Sequence, residues 1–186
     1  VTADRLHLDF AGTSGCSGKG INVPLNYATA YSVFAMRCII GPDIPNNAGS
    51  LEPFVVTGPP GCILNAQRPA PVAMRHTLGQ MTPDLVLGCL HQALPNRVPA
   101  EGASCMYDLP LRHTADAARD GGRKFAAELV HNGGTGARPT LDGLSATAFP
   151  SGVFGSQVEI TEATAPITIW KRELLPDSGG AGQYRG

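Results

Sequence analysis

The sequence predicts a mixed α+β fold, with two main helices at about residues 23–40 and 83–94 and glycine-rich loops that connect the elements. Three observations support this class. Apolar residues recur at helical spacing in those two segments, and several short runs alternate apolar and polar residues as strands do. The 23 glycines and 16 prolines are spread along the 186 residues, which indicates many tight turns.

The first elements are separated by glycine and proline. Residues 4–10 alternate like a strand, and residues 11–20 form a glycine-rich loop. The first helix has Pro24 in its first turn, where the missing N–H costs nothing, and it ends before Gly41. Residues 42–53 carry turn chemistry and are predicted as a loop.

The second main helix has Thr82 as its cap and Asp84 in the first turn, where a carboxylate complements the helix dipole. Leu85 and Cys89 are among the side chains predicted to face inward, and Pro95 ends the helix. A shorter helical segment is predicted before it, at 72–80. The remaining strand candidates are 54–57, 62–64, 104–109, 123–130 and 166–174.

Composition excludes several function classes. The formal net charge is -1, so there is no basic excess for nucleic acid or for an anionic membrane surface. The five cysteines include no C-x-x-C pair, which favours reduced thiols and a cytoplasmic location over a disulfide framework or a zinc site. The longest apolar stretch, around 31–40, is too short to span a membrane and contains Arg37.

The loop at 11–20 fails as a phosphate-binding loop of the Walker A type. Thr13 occupies the position of the first required glycine, and Gly20 follows Lys19 in place of serine or threonine. Two interpretations remain: a structural connection between strand and helix, or a loop whose backbone N–H groups face a ligand. We favour the second.

The histidines have no metal-ligand spacing, so no metal site is predicted within this chain. His76 is the histidine of most interest, because it follows Arg75 in a proline-bounded turn where a polar cluster could face a cleft. A satisfied structural histidine is the alternative. Asp9 lies beside a glycine-rich turn, where carboxylates more often bind backbone N–H groups than substrates.

Several sequence blocks, taken in order, resemble the hydantoinase B/oxoprolinase family. They are Asp9-Phe10-Ala11-Gly12-Thr13-Ser14, Gly20-Ile21-Asn22, Ile44-Pro45-Asn46-Asn47-Ala48-Gly49, Pro60-Gly61-Cys62-Ile63-Leu64-Asn65, Pro69-Ala70-Pro71-Val72-Ala73, Arg75-His76, Gly133-Gly134-Thr135-Gly136-Ala137-Arg138 and Asp177-Ser178-Gly179-Gly180-Ala181-Gly182-Gln183-Tyr184-Arg185-Gly186. The resemblance covers nearly the whole chain. One departure is Pro60, which stands where many family members have glutamate.

The resemblance implies that residues 1–186 are a single internal segment of a longer subunit, truncated at both ends. Such subunits hydrolyse cyclic amides (5-oxoproline, hydantoins, lactams) together with a hydantoinase A-type partner or fused domain that uses ATP and magnesium. A divalent metal is expected in a segment upstream of this one. The alternatives are a ketone carboxylase subunit of the acetone or acetophenone type, and a purely structural interface segment.

The same resemblance suggests site residues. His76 and Asp9 are the catalytic candidates, and the candidates for binding substrate or shaping a loop at the site are Thr13, Ser14, Asn22, Ser178 and Arg185. No metal ligand is assigned to this segment.

Overall fold

The computed structural model describes residues 1–104, 106–113, 124–147 and 149–186. The mixed α+β class is confirmed. The strands are β1 (Leu6–Asp9), β2 (Phe54–Thr57), β3 (Met106–His113) and β4 (Phe125–Asn132), and the helices are α1 (Leu25–Ile39), α2 (Ala48–Leu51), α3 (His76–Gly79), α4 (Thr82–His91) and α5 (Val158–Thr164).

Helices α1 and α4 pack against each other and form the main core. Met36 and Ala35 of α1 are fully buried, and they share this core with Val86 and Leu87 of α4. Both predicted main helices are thus confirmed, with slightly shorter bounds. The predicted inward face of α4 is partly wrong, because Leu85 is 54% exposed and Cys89 is also exposed. Leu85 and Cys89 are four residues apart and so share one face of α4, and this face points away from α1.

Strands β1 and β2 pair in parallel, with Leu6 opposite Phe54 and Asp9 opposite Thr57. Leu8 and Val56 pack against the helical core, while His7 and Asp9 point outward and are exposed. The register therefore places the carboxyl ends of both strands side by side. The glycine-rich loop 11–20 follows one strand, and the turn at 58–65 follows the other.

Two segments differ from their predicted class in the N-terminal half. The predicted strand at 62–64 is wrong, because only Cys62 forms a bridge, to Gly15, and the rest of the segment turns. The N–H of residue 65 donates to the carbonyl of Cys62 at 2.9 Å, which closes the turn, and the N–H of Ile63 donates to the Ser14 carbonyl at 2.8 Å without extending into a strand. Helix α2 lies inside the predicted loop 42–53, where Asn47 and Ser50 form a reciprocal cap.

Strands β3 and β4 form an antiparallel hairpin in which Met106 pairs with Asn132 and His113 pairs with Phe125. Both strands occur where the sequence predicted them, but each starts two residues later than predicted and ends later as well. The predicted strand at 166–174 is wrong. Among the described residues this segment has no ladder partner, and the N–H of Ile169 donates to the Glu162 carboxylate at 2.8 Å.

No helix of the described residues is both long enough and apolar enough to cross a membrane.

Candidate functional site

His76 forms a close pair with Asp108, which lies 32 residues later in the sequence. The Nε2 atom of His76, on α3, is 2.5 Å from Oδ2 of Asp108, on β3. The side chains are 23% and 11% exposed, so the pair is mostly buried but still reaches solvent. An ionised carboxylate only accepts hydrogen bonds, so we assign the proton to Nε2, and the lone pair of neutral His76 is then on Nδ1. A carboxylate that orients an imidazole in this way can support general-base chemistry, and the same contact can also hold a structural histidine in place.

Tyr27 holds α3 on α1 and so fixes the position of His76. Its ring stacks on Tyr31 with 4.7 Å between the centroids, and the Arg75 guanidinium lies 5.8 Å from the Tyr27 centroid. Burial raises the pKa of Tyr27, and a hydrogen bond with Tyr31 adds to that rise, so the phenol stays neutral at physiological pH. The ring lies so close to Gly79 that any side chain there would collide with it.

A second polar group lies at the carboxyl ends of β1 and β2. The Asp9 carboxylate accepts from the Thr57 hydroxyl at 3.1 Å, and His7 Nε2 is 2.9 Å from the same hydroxyl. The backbone N–H of Ala11 also donates to Asp9 Oδ1, at 3.1 Å. Carboxylates beside glycine-rich turns usually accept such bonds from backbone N–H groups. The three side chains form an exposed chain of hydrogen bonds from histidine to hydroxyl to carboxylate.

Asn22 holds the glycine-rich loop in place. Its side chain is fully buried, and Oδ1 accepts from the N–H of Ser17 at 2.7 Å. Nδ2 donates to the carbonyls of Ser17, Lys19 and Pro71 at 2.8–3.0 Å. These bonds use both hydrogens of Nδ2, one of them shared between two carbonyls, and the side chain is fully buried, so Asn22 acts on the loop.

Thr13 and Ser14 lie in this loop, directly after Asp9 and Phe10. The Thr13 N–H donates to the Phe10 carbonyl at 3.2 Å, and the Ser14 carbonyl accepts from Ile63 at 2.8 Å. The structure thus brings Asp9, Thr13 and Ser14 to one edge, where the parallel strands end. Clefts at this edge of a parallel sheet are common places for ligands.

Ser178 and Arg185 belong to a different region. The Ser178 hydroxyl donates to the Leu175 carbonyl at 2.8 Å, and the Arg185 N–H donates to Asp142 at 2.8 Å. Arg185 also pairs with Asp177 at 3.3 Å. Within the described ranges, no hydrogen bond or ion pair joins these two residues to Asp9, Asn22 or His76.

Sequence reasoning missed Asp108, His7 and Thr57. The i, i+2 spacing of His7 and Asp9 was the available signal for a shared strand face. No local signal links Asp108 to His76, since the pair depends on how the hairpin docks. Among the described residues, no group of three or more His, Cys, Asp or Glu side chains is placed to hold a metal ion.

Asp84 is a buried carboxyl group outside both of these polar groups. Only 8% of the residue is exposed, and Oδ2 accepts from the Gly102 N–H at 3.2 Å and from the Ser104 hydroxyl. Burial raises the pKa of Asp84, the bond from Gly102 opposes that rise, and the nearby Glu101 charge adds to it. Asp84 was expected from the sequence to complement the dipole of α4, but its burial was not predicted.

We expect Asp84→Asn to gain stability, relative to the parent chain, as the pH rises. Burial favours the protonated form of Asp84, so ionised Asp84 destabilises the folded parent chain. This destabilisation is absent below the ordinary pKa of 3.8 and complete above the raised pKa of the folded state. The amide does not titrate. Urea unfolding of both proteins across this window measures the change, with exposed Asp43→Asn as the control. A pH-independent difference between Asp84→Asn and the parent contradicts the prediction.

Comparison with known proteins places the chain in a family. The Hydantoinase B/oxoprolinase family matches residues 1–186. An uncharacterized protein of Methanocaldococcus jannaschii, MJ0963, is 30% identical over 98% of this chain and 31% of its own length. The 5-oxoprolinase 1 of Arabidopsis thaliana is 28% identical over 100% of this chain and 14% of its own length. The caprolactamase subunit beta of Pseudomonas jessenii is 32% identical over 69% of this chain and 23% of its own length. The chain thus spans about a third or less of these relatives, and it belongs to the hydantoinase B/oxoprolinase family.

Proposed function

We propose that this chain is part of an ATP-dependent hydrolase subunit that opens small cyclic amides. The family match over residues 1–186 carries the proposal. Relatives named as a 5-oxoprolinase and a caprolactamase support the class of substrate. A ring amide is a poor electrophile until its oxygen is activated, which is why ATP is part of the proposal.

We propose that the partner is a hydantoinase A-type subunit or fused domain that binds ATP and magnesium. The name of the caprolactamase relative, subunit beta, supports an assembly of unlike subunits. We propose that the divalent metal of the assembly binds to residues outside this chain, in a segment upstream of it. Cys16, Cys38, Cys62 and Cys89 are free thiols, which supports a cytoplasmic location.

His76 is the proposed general base of the reaction. Its Nδ1 accepts a proton from the attacking water, and Asp108 holds the ring and stabilises the imidazolium that forms. Asp9, Thr13 and Ser14 are proposed to form a wall of the substrate cleft, with Asn22 holding the loop. We leave Ser178 and Arg185 out of this site, because their contacts lie with Leu175, Asp142 and Asp177.

We expect turnover to need ATP and both subunits. The polypeptide that carries this chain is expressed with and without a hydantoinase A-type subunit, and ring opening is measured on 5-oxoproline, hydantoin and caprolactam. The isolated 186-residue chain is the negative control. Turnover by that chain alone, or by the complex without ATP, contradicts the proposal. If the complex carboxylates acetone or acetophenone and opens none of these rings, the hydrolase proposal is replaced by the carboxylase alternative.

A further inference from the structure

A pocket of about 210 Å³ lies between the start of α4 and the base of the β3–β4 hairpin, and none of the residues assigned to the proposed site lines it. We call it the hairpin-base pocket. Its lining includes Asp84, Pro99, Ala100, Gly136, Leu144 and Phe149. The wall is almost entirely carbon, and its volume suits a molecule of one small ring.

Hydrogen bonds along the backbone hold this wall in place. Ala100 donates to the Ala137 carbonyl at 2.8 Å, and Thr135 donates to the Leu144 carbonyl at 2.9 Å. The N–H of Leu144 donates back to the Thr135 hydroxyl at 2.8 Å. A side chain at position 136 would collide with the Ala100 carbonyl, so the two backbones touch where Gly136 lies. The pocket is therefore formed before any ligand binds, which lowers the entropic cost of binding.

Asp84 supplies the acceptor of this pocket. Its Oδ2 is used by Gly102 and Ser104, whereas Oδ1 has no hydrogen-bond partner among the described residues. A carboxylate oxygen that lacks a partner in an apolar setting gains from a donor brought by a ligand. Arg138 also lines the pocket, but its Nε and Nη2 donate to the Asp142 carbonyl at 2.9 and 2.7 Å.

We propose that the hairpin-base pocket binds a small, neutral cyclic molecule with a hydrocarbon ring and one N–H group that donates to Asp84. Carbon walls disfavour a fully charged ligand, because its lost hydration is not replaced. Anions are disfavoured further by Asp84 and by nearby Glu101. A lactam without a carboxylate has the required chemistry, and this choice of ring rests on the proposed function.

The test uses three lactam probes: one neutral with an N–H donor, one neutral without that donor, and one with a carboxylate. The ¹⁵N-labelled chain is titrated with ε-caprolactam, N-methylcaprolactam and 5-oxoproline, and amide shifts are followed at Gly102, Thr135 and Gly136. We expect caprolactam to bind there. We expect N-methylcaprolactam to bind about tenfold more weakly, since it lacks the donor to a charged acceptor. The 5-oxoproline anion is expected to give no saturable shift at these amides.

Two variants and one control complete the design. Asp84→Asn removes the charge at nearly constant volume, and we expect it to weaken caprolactam binding by about tenfold. Leu144→Trp narrows the pocket and is expected to abolish binding, which keeps the test decisive if Asp84→Asn does not fold. Exposed Asp43→Asn is the control and should bind like the parent chain.

Absence of caprolactam shifts at these amides overturns the inference, as does equal binding of the N-methyl compound. Shifts that survive Leu144→Trp also overturn it. The outcome is separate from the proposed function, because caprolactam can bind here whether or not the assembled subunits hydrolyse it. Conversely, ATP-dependent hydrolysis without shifts at this pocket leaves the proposed function intact and rejects the pocket.

Discussion

Loss of the His76 imidazole is expected to lower kcat of the assembled enzyme by about a hundredfold to ten-thousandfold, the usual contribution of a general base. The His76→Ala variant keeps α3 in place, because Tyr27 and Arg75 still pack this helix against α1. The measurement is ATP-dependent ring opening by the polypeptide that carries this chain, together with its thermal unfolding temperature. His91→Ala provides the matched control, since His91 is exposed at the end of α4.

Substitution of Asp108 distinguishes a catalytic role of the His76–Asp108 pair from a structural one. Asp108→Asn keeps the shape of the side chain, but its amide can donate to Nε2 and so favour the wrong tautomer of His76. We expect a comparable loss of kcat, and the double variant should lose little more than either single one. Unchanged turnover in both single variants, with a lower unfolding temperature, makes the pair a structural tie between α3 and the hairpin.

The helices could be predicted because their signals are local. Apolar spacing and Pro24 are enough to place α1, and Asp84 lies in the first turn of α4 as predicted. The predicted cap of α4 is wrong, because Met81 occupies the cap position and the buried Thr82 hydroxyl makes no hydrogen bond among the described residues. The segment at 166–174 alternates in the same way as a strand, yet a strand also needs a neighbouring backbone. The Ile169 N–H finds the Glu162 carboxylate instead. An alternating sequence is suited to a strand, but it does not ensure that a second strand lies beside it to form the backbone hydrogen bonds.

The candidate site was predicted only in part for a related reason. His76 could be singled out from its local context, but its partner Asp108 lies 32 residues later in the sequence. Asp108 reaches His76 only because the β3–β4 hairpin packs beside α3. Thr57 reaches Asp9 only because β1 and β2 pair in a parallel register that aligns these two positions. Single residues with suitable chemistry are visible in a sequence, whereas their partners depend on long-range packing.

Asn22→Ala is expected to lower the free energy of unfolding by on the order of 3 kcal/mol. The change removes four hydrogen bonds and leaves the partly buried carbonyls of Ser17, Lys19 and Pro71 without that donor. Urea unfolding measures the loss. Asn26→Ala is the matched control, because Asn26 is exposed and, within the part of the chain that the structure describes, its side chain bonds only to the N–H of Tyr27, at 2.9 Å. We expect the control to change stability by less than about 0.5 kcal/mol.

Asn22→Asp tests the cause of this loss more sharply. The carboxylate retains an acceptor for the Ser17 N–H, but it replaces the Nδ2 donor with an oxygen that faces three carbonyls. If the donor bonds matter, Asn22→Asp is at least as destabilising as Asn22→Ala, although it is closer in shape to asparagine. Hydrogen exchange at the amides of residues 15–20 should accelerate in both variants, because the loop loses its anchor. Parent-like stability of Asn22→Asp shows that the shape of the side chain, and not its donors, holds this loop.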